Sequence, residues 1–329
     1  MSHAESAGGG RAWPRLKRLL GLLFFILVAV LLVLLAKRLD WQEVFATLRQ
    51  YQAATLFWAA CAAALGHLTY SSFDVLGRRY SGHRLPLRQI MPVTFVCYAF
   101  NLNLGYWVGG IAFRYRLYSR LGLGNGVIMQ ILSLSLVTNW LGYLLLAGGL
   151  FLSGQVQLPR SWAIDNLGLQ VAGAVLLALA GAYLLSCKLS KKRTWRLRGQ
   201  AFTLPSFGLA LTQALLGACN WLLMALTVHL LLGQQVAFAG VLGALLLSSI
   251  AGVLTHIPAG LGVLEAVFVT LLQDEIGKGS LLAALIAYRI LYFLIPLLIA
   301  SLVYLCLEAR AKQLKQHNTQ VAESGTQRP

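Results

Sequence analysis

The sequence predicts an all-α polytopic membrane protein with about six full spans and two re-entrant or broken helical hairpins. Hydrophobic residues make up 58% of the 329 residues, and charged residues make up only 11%. Residues 19–36 (LLGLLFFILVAVLLVLLA) contain no charge, and similar runs recur along the chain. Because about 20 apolar residues cross the hydrocarbon core as a helix, these runs predict transmembrane helices. They are continuous rather than alternating, which argues against a membrane β-barrel.

The first apolar run follows four basic residues, as a signal peptide would, but no small-residue cleavage site comes after it. We therefore expect it to be retained as the first helix. The other apolar stretches lie at 53–72, 90–108, 126–152, 167–187, 207–232, 237–273 and 280–306.

The predicted domain organisation is a single membrane domain between two polar tails. Residues 1–18 form a cytoplasmic basic tail, residues 19–306 the membrane domain, and residues 307–329 a disordered cytoplasmic tail. Within the membrane domain, two repeat halves fall at about 19–155 and 167–306.

The distribution of Lys and Arg decides the predicted topology. If all eight stretches crossed once from a cytoplasmic amino terminus, the basic residues outside the spans would divide 13 inside and 13 outside. If residues 90–120 and 237–273 each enter and leave on one side, the division becomes 21 inside and 5 outside. The positive-inside rule favours the second arrangement. Both termini are then cytoplasmic, and the two halves run in opposite directions as an inverted-topology repeat.

The net charge and the absence of enzyme and metal-binding motifs limit the functions that the sequence is expected to have. A net charge of +17 would indicate nucleic-acid binding in a soluble protein, but here basic cytoplasmic loops and anionic lipid explain it. Membrane phospholipids, and not nucleic acid, are therefore the expected partners. The five cysteines form no C-x-x-C pair, so neither a disulfide nor structural zinc is expected. No H-E-x-x-H, G-x-S-x-G or P-loop motif is present, so we predict no catalytic residue, metal or cofactor.

The second predicted hairpin contains the sequence HIPAGLGVLEAVF. Pro258, Gly260 and Gly262 break the helix, and a short helix is expected to restart near Val263. Its amino-terminal N–H groups would then be placed to bind a phosphate inside the membrane. Glu265 falls in the first turn of that helix. It either belongs to a binding or gating site, or it only complements the helix dipole.

Two arginines follow the glycine pair of the first hairpin. Arg114 stands five residues after the first of those glycines, as Glu265 stands five residues after Gly260. Arg114 or Arg116 is therefore expected to face Glu265 across the repeat axis, with a planar fork suited to phosphate or carboxylate. The alternative is a cytoplasmic anchor, which is the expected role of Arg120.

Arg289 lies within the apolar stretch LIAYRILYFLIP. It is too deep in the predicted span to reach an interface easily, so we expect it to face the bundle interior and to pair with Glu265. Asn139 stands 150 residues before Arg289, as Gly110 stands before Gly260, and this half-chain offset adds Asn139 to the predicted site. The alternative for Asn139 is a hydrogen bond to a neighbouring helix.

Other polar residues in the spans are expected to hydrogen-bond neighbouring helices. A local ion pair between Asp74 and Arg78 is predicted from their i,i+4 spacing. The polar residues expected to serve helix packing are Asn101, Asn103, Ser135, Asn220, Ser248 and His256, and the same is expected of His67 and His229.

Three stretches resemble a known family: NLNLGYWVGGIAFRYRLYSRLG, HIPAGLGVLEAVF and AYRILYF. They are similar to the membrane domain of bacterial lysylphosphatidylglycerol synthases, and residues 15–310 as a whole resemble their stand-alone inner-membrane relatives. The most specific piece is P-x-G-x-G-x-x-E, which runs from Pro258 to Glu265, followed by Arg289. The first motif differs from the synthase form, which has a proline before its glycine and an acidic residue before its arginine.

The resemblance implies a multi-pass protein of the bacterial inner membrane that acts as a phospholipid flippase. In full-length synthases a separate soluble domain makes the aminoacylated lipid. Only 23 residues follow residue 306, so transferase activity is not expected, and the lipid substrate stays open.

The leading functional expectation is a phospholipid flippase, transporter or lipid-trafficking factor that binds an anionic headgroup near the bilayer midplane. A secondary transporter of a small anionic solute is the first alternative. A non-transporting scaffold for lipid-synthesis enzymes is the second. The residues predicted to bind the substrate are Arg114, Arg116, Glu265, Arg289, Gly260, Gly262 and Asn139.

Overall fold

A computed structural model describes most of the chain from residue 49 onward. The described residues are 42, 46, 49–156, 158–159, 165–191, 193–197, 200–255, 260 and 262–309. The compact unit considered below is Tyr51–Pro329. The predicted basic tail and first span lie outside the described residues, so the proposed boundaries of the membrane domain stay predictions.

The described elements are mainly helices. The first half contains α1 (Ala53–Ser81), α2 (Leu87–Leu104), the π-helix π1 (Tyr106–Ala112), α3 (Phe113–Arg120) and α4 (Asn125–Leu152). The second half contains α5 (Asn166–Leu189), α6 (Phe207–Leu231), α7 (Phe238–Thr255), α8 (Val263–Ile276), α9 (Lys278–Tyr288) and the π-helix π2 (Arg289–Leu294). Helical residues 295–309 follow π2.

Two regions differ from the prediction, one in secondary structure and one in the length of a helix. Between α5 and α6, the strands β1 (Thr194–Leu197) and β2 (Gln200–Thr203) form a short antiparallel hairpin in the basic loop. The last helix continues through residue 309, three residues into the predicted disordered tail.

Within the described part of the chain, six helical segments are long and apolar enough to cross a membrane. Five of them coincide with predicted spans: α1, α4, α5, α6 and the run Lys278–Ala309. The sixth is α7, which lies in the second segment predicted to be re-entrant. The observed set of six therefore includes α7, whereas the predicted set began with residues 19–36.

Both segments predicted to be broken are interrupted at glycines. Gly105 ends α2 with a φ of +84°, and π1 packs so closely on α2 that a Cβ on Gly109 would lie 2.0 Å from the Asn101 nitrogen. In the second segment, Gly260 and Gly262 have φ values of +56° and +81°. Such left-handed conformations are readily adopted by glycine. Beyond this break α8 begins at Val263, as predicted, and packs against α7.

The helices of the two halves pack together around a large apolar core, with a smaller apolar cluster at Leu141, Ala180 and Ala214. α1 packs along α6, while α4 packs against both α5 and α6. The buried core includes the large side chains of Phe73, Phe100 and Phe268. Many leucines on the outer faces of α5 and α6 are exposed, as expected for helices that contact lipid tails.

Replacing Gly142 should loosen the contact between α4 and α6. A Cβ there would lie 2.0 Å from the Gly217 carbonyl carbon, and small residues are what let two helix backbones approach this closely. Overpacking costs about 1–3 kcal/mol, so Gly142→Ala should lower the thermal unfolding midpoint in detergent by roughly 2–10 °C. Gly149→Ala on the same helix is the control, because its Cβ would meet nothing within 4 Å. Equal unfolding midpoints for the two variants would contradict this packing.

Candidate functional site

The predicted contact between Arg289 and Glu265 is present. Arg289 is the first residue of π2, and Glu265 lies in the first turn of α8. Arg289 Nε donates to Glu265 Oε1 at 2.5 Å, and Nη2 donates to Oε2 at 3.0 Å. This bidentate geometry is the strong form of a charge-assisted pair. The side chains are 14% and 23% exposed, so the pair is largely enclosed by the helices.

The backbone of the break in the second segment holds this ion pair. The Gly262 N–H donates to Glu265 Oε2 at 2.9 Å, and Arg289 Nη2 also donates to the Gly260 carbonyl at 3.1 Å. The guanidinium therefore lies beside the amino-terminal end of α8. An anion that reached Arg289 would meet a cation and the positive end of a helix together.

A second ion pair lies deeper in the protein, between Arg114 and Asp74. Arg114 Nε donates to Asp74 Oδ2 at 3.1 Å, and Nη2 donates to Oδ1 at 3.2 Å. Tyr118 donates to the same carboxylate at 2.8 Å, and Arg114 also donates to Ser135 Oγ at 3.1 Å and to the Gly110 carbonyl at 3.2 Å. The Arg114 and Asp74 side chains are only 1% and 0% exposed.

These contacts correct two predictions. Arg114 does not face Glu265, because α3 begins directly after π1 and places the guanidinium against α1 and α4. Asp74 does not pair with Arg78, because a fully buried carboxylate needs partners that satisfy its charge and its lone pairs. Arg114 and Tyr118 supply them, whereas the i,i+4 rule describes exposed helix surfaces.

Arg116 also contacts a different carboxylate from the one predicted. Its Nη2 and Nε donate to Glu308 Oε1 at 2.7 and 3.2 Å, and Arg120 donates to Oε2 of the same residue. Tyr304 donates to Glu308 Oε1 at 2.8 Å. α3 is thereby joined to the last helix, so the prediction that Arg116 faces Glu265 is wrong. Arg120, predicted as a cytoplasmic anchor, belongs to the same cluster.

Asn139 lies at a helix contact. Its backbone carbonyl accepts a hydrogen bond from Trp221 Nε1 at 3.1 Å, so α4 contacts α6 at this residue, whereas Glu265 lies on α8. Among the polar residues expected to serve packing, Asn103 Nδ2 donates to the Phe293 carbonyl at 3.2 Å. His256 and Pro258 lie outside the described residues.

Two carboxylates, Asp74 and Glu308, were missed as site partners by sequence reasoning. The signal for Asp74 was its place in an apolar helix, where a lone charge is costly. Glu308 carried no comparable signal because it fell in the predicted tail. π1 and π2 were missed as well, although π2 begins at the ion-paired Arg289 and π1 ends two residues before the ion-paired Arg114. Such π segments are often found at functional sites.

Comparison with known proteins identifies relatives along most of the chain. The family profile described as "Lysylphosphatidylglycerol synthase TM region" matches residues 18–300. "Inner membrane protein YbhN" of Escherichia coli K12 is 51% identical over 93% of this chain and 96% of its own length. A Synechocystis protein designated slr0712 is 30% identical over 88% of this chain and 92% of its own.

A more distant relative carries an enzyme name. "Phosphatidylglycerol lysyltransferase" of Staphylococcus haemolyticus is 22% identical over 86% of this chain, a match that covers 34% of that protein. The similarity therefore involves about a third of the lysyltransferase.

The family match and the helices agree on localisation. The predicted multi-pass protein of the inner membrane is confirmed by six span-length apolar helices in the described chain and by the inner-membrane relative. The chain is an integral membrane protein and belongs to the lysylphosphatidylglycerol synthase transmembrane-region family.

Proposed function

We propose that this protein moves phospholipids across or within the inner membrane, as a flippase, transporter or lipid-trafficking factor. In this proposal an anionic headgroup binds to Arg289 near the bilayer midplane. The observation that supports it most strongly is the bidentate Arg289–Glu265 pair at a glycine break between apolar helices. Ionisable groups inside a membrane are costly and usually serve function.

The ion pair suggests how the headgroup binds. Glu265 occupies the guanidinium fork when the site is empty, and two phosphate oxygens take its place when the headgroup arrives. Arg289 is thus paired before and after the exchange, so the guanidinium charge is never without an anionic partner. Glu265 keeps its hydrogen bond from Gly262, so the displaced carboxylate also retains a donor. Acyl tails stay in the bilayer while the headgroup crosses.

The topology belongs to the same proposal. α2–π1–α3 and α7–α8 act as hairpins from opposite faces, the two halves form an inverted repeat, and both termini are cytoplasmic. The uneven distribution of basic residues supports this arrangement. So does a shared contact, because the carbonyls of Gly110 and Gly260, which are 150 residues apart, each accept from an ion-paired arginine.

The proposal gives structural roles, and not headgroup binding, to three of the residues predicted for the site: Arg114, Arg116 and Asn139. Arg114 and Asp74 form the counterpart of the Arg289–Glu265 pair in the first half, and they position π1 through the Gly110 carbonyl. Arg116 joins α3 to the last helix through Glu308. The backbone carbonyl of Asn139 joins α4 to α6 through Trp221. Arg289, Glu265, Gly260 and Gly262 are the proposed headgroup site.

The test is a transport assay with purified protein in sealed proteoliposomes. Labelled phosphatidylglycerol, the probe, should become accessible on the opposite leaflet faster than in protein-free vesicles. Parallel vesicles should report uptake of inorganic phosphate and small organic anions. Solute uptake without lipid movement would favour the secondary transporter. If neither the lipid nor the solutes move, the result would contradict transport and favour the scaffold for lipid-synthesis enzymes.

A further inference from the structure

Five buried side-chain polar atoms lack a hydrogen-bond partner in the part of the chain that the structure describes, and three of these belong to one cluster. The three are His67 Nδ1, Asn220 Oδ1 and Tyr288 Oη. Their residues are 4%, 0% and 1% exposed. Buried polar atoms are nearly always hydrogen-bonded, so each unpaired one calls for an explanation. We name these three side chains the acceptor cluster.

Two tyrosines join the acceptor cluster together. Tyr98 on α2 and Tyr292 on π2 bring their hydroxyls to 3.2 Å. The His67 ring lies 4.9 Å from the Tyr98 ring and 5.0 Å from the Tyr292 ring, and the Tyr288 ring lies 5.4 Å from Tyr292. Four structural elements, α1, α2, α9 and π2, thus meet at this point.

Asn220 connects α6 to the same group. Its Nδ2 and the Tyr98 hydroxyl both lie 3.8 Å from the Met224 sulfur. The amide nitrogen therefore has a weak acceptor, while the amide oxygen is the atom left without a donor.

The unpaired atoms call for a ligand that donates hydrogen bonds. His67 Nε2 lies 3.1 Å from the Tyr292 carbonyl. Because a carbonyl can only accept, Nε2 carries the hydrogen, and Nδ1 presents a lone pair. Asn220 Oδ1 is likewise an acceptor, and the Tyr288 hydroxyl can donate or accept. The cluster is therefore complementary to hydroxyl groups rather than to a second phosphate.

The acceptor cluster lies next to the proposed headgroup site. Tyr288 directly precedes Arg289, and its ring lies 5.6 Å from the Phe293 ring. The Arg289 guanidinium carbon lies 5.8 Å from that same Phe293 ring. On the other side, Tyr98 stacks on Tyr70 at 3.6 Å. The cluster thus connects by ring contacts to the cation that would hold the phosphate.

We propose that the acceptor cluster binds the hydroxyl-bearing end of the headgroup whose phosphate binds Arg289. This inference rests on the proposed function and specifies its substrate class. The substrate is an anionic glycerophospholipid whose headgroup carries free hydroxyls. A headgroup of equal charge without hydroxyls leaves His67 and Asn220 unpaired, and sites built to hydrogen-bond a hydroxyl reject analogues that lack it.

The experiment compares two lipids of equal charge and identical acyl chains in proteoliposomes. Phosphatidylglycerol carries two hydroxyls in its headgroup, and phosphatidylmethanol carries none. The wild-type protein should move phosphatidylglycerol at least about tenfold faster. Tyr288→Phe and Asn220→Leu should each bring that ratio towards one.

Tyr183→Phe is the matched control for Tyr288→Phe. It removes a hydroxyl that donates to Gln213 at 2.8 Å, away from the cluster, and it should keep the wild-type ratio. Equal rates for the two lipids in the wild-type protein would overturn the inference without any variant. A ratio unchanged in both cluster variants, with only lower stability, would also overturn it and assign the atoms to buried water. If the wild-type protein moves neither lipid, that result contradicts the proposed lipid movement itself, and the inference about the headgroup falls with it.

Discussion

Arg289→Gln should abolish phosphatidylglycerol movement in proteoliposomes and should also destabilise the protein. The substitution removes the cation that would hold the phosphate and leaves the mostly enclosed Glu265 carboxylate without its main partner. Breaking a buried pair from one side costs about 3–5 kcal/mol, and the partial exposure of this pair places the cost at the lower end. Transport rate and thermal unfolding midpoint should be measured on the same preparations.

The double variant Arg289→Gln with Glu265→Gln separates folding from function. Two neutral amides can hydrogen-bond each other, so stability should return towards that of the wild type, while transport stays absent. Arg289→Lys is the conservative control, because it keeps the charge but loses the planar fork. It should retain a small part of the rate. A double variant that transports lipid at the wild-type rate would show that the guanidinium is dispensable.

Asp74→Leu should have the largest effect on stability. It leaves Arg114 charged in a site that is 1% exposed, and it also removes the acceptor of the Tyr118 hydroxyl. The expected loss is about 3–5 kcal/mol, against a typical total of about 5–15 kcal/mol. Thermal unfolding in detergent, followed by intrinsic fluorescence, should show a large drop in the midpoint.

Removing both charges should recover much of that loss. Replacement of a buried ion pair by apolar residues is often neutral or stabilising, so Asp74→Leu with Arg114→Leu should unfold well above the single variant. Recovery should be incomplete because Ser135 loses the hydrogen bond from Arg114 and Tyr118 loses its carboxylate acceptor. A double variant no more stable than Asp74→Leu would mean that the two charges contribute independently rather than as a pair.

The sequence predicted the Glu265–Arg289 contact because few charges occur in the apolar stretches. A deep arginine needs a carboxylate, and Glu265 stood at a helix start within the motif that also breaks the chain. The restart at Val263 followed from the same logic, since a proline and two glycines end a helix with little dependence on tertiary structure. The helix break, the restart and the scarcity of charges can all be read from short stretches of sequence, so they could be predicted without knowing how the helices pack.

The partners of Arg114 and Arg116 could not be predicted in this way. Asp74 is 40 residues from Arg114, and Glu308 is 192 residues from Arg116. Which helix faces which depends on packing that the hydropathy pattern does not encode, because lipid-facing and core-facing positions are equally apolar. The spacing argument assumed that the two hairpins place equivalent residues face to face. Instead, each hairpin residue pairs with a helix outside its own hairpin.

The most direct test of the headgroup site is the binding of short-chain phosphatidylglycerol to the purified protein in detergent. If Glu265 and the phosphate compete for Arg289, the two single variants should change the affinity in opposite directions. Glu265→Gln should bind about tenfold more tightly and Arg289→Gln about tenfold more weakly, each a change of about 1.4 kcal/mol. Unchanged affinities, or a loss of affinity in both variants, would contradict the exchange of the carboxylate for the headgroup.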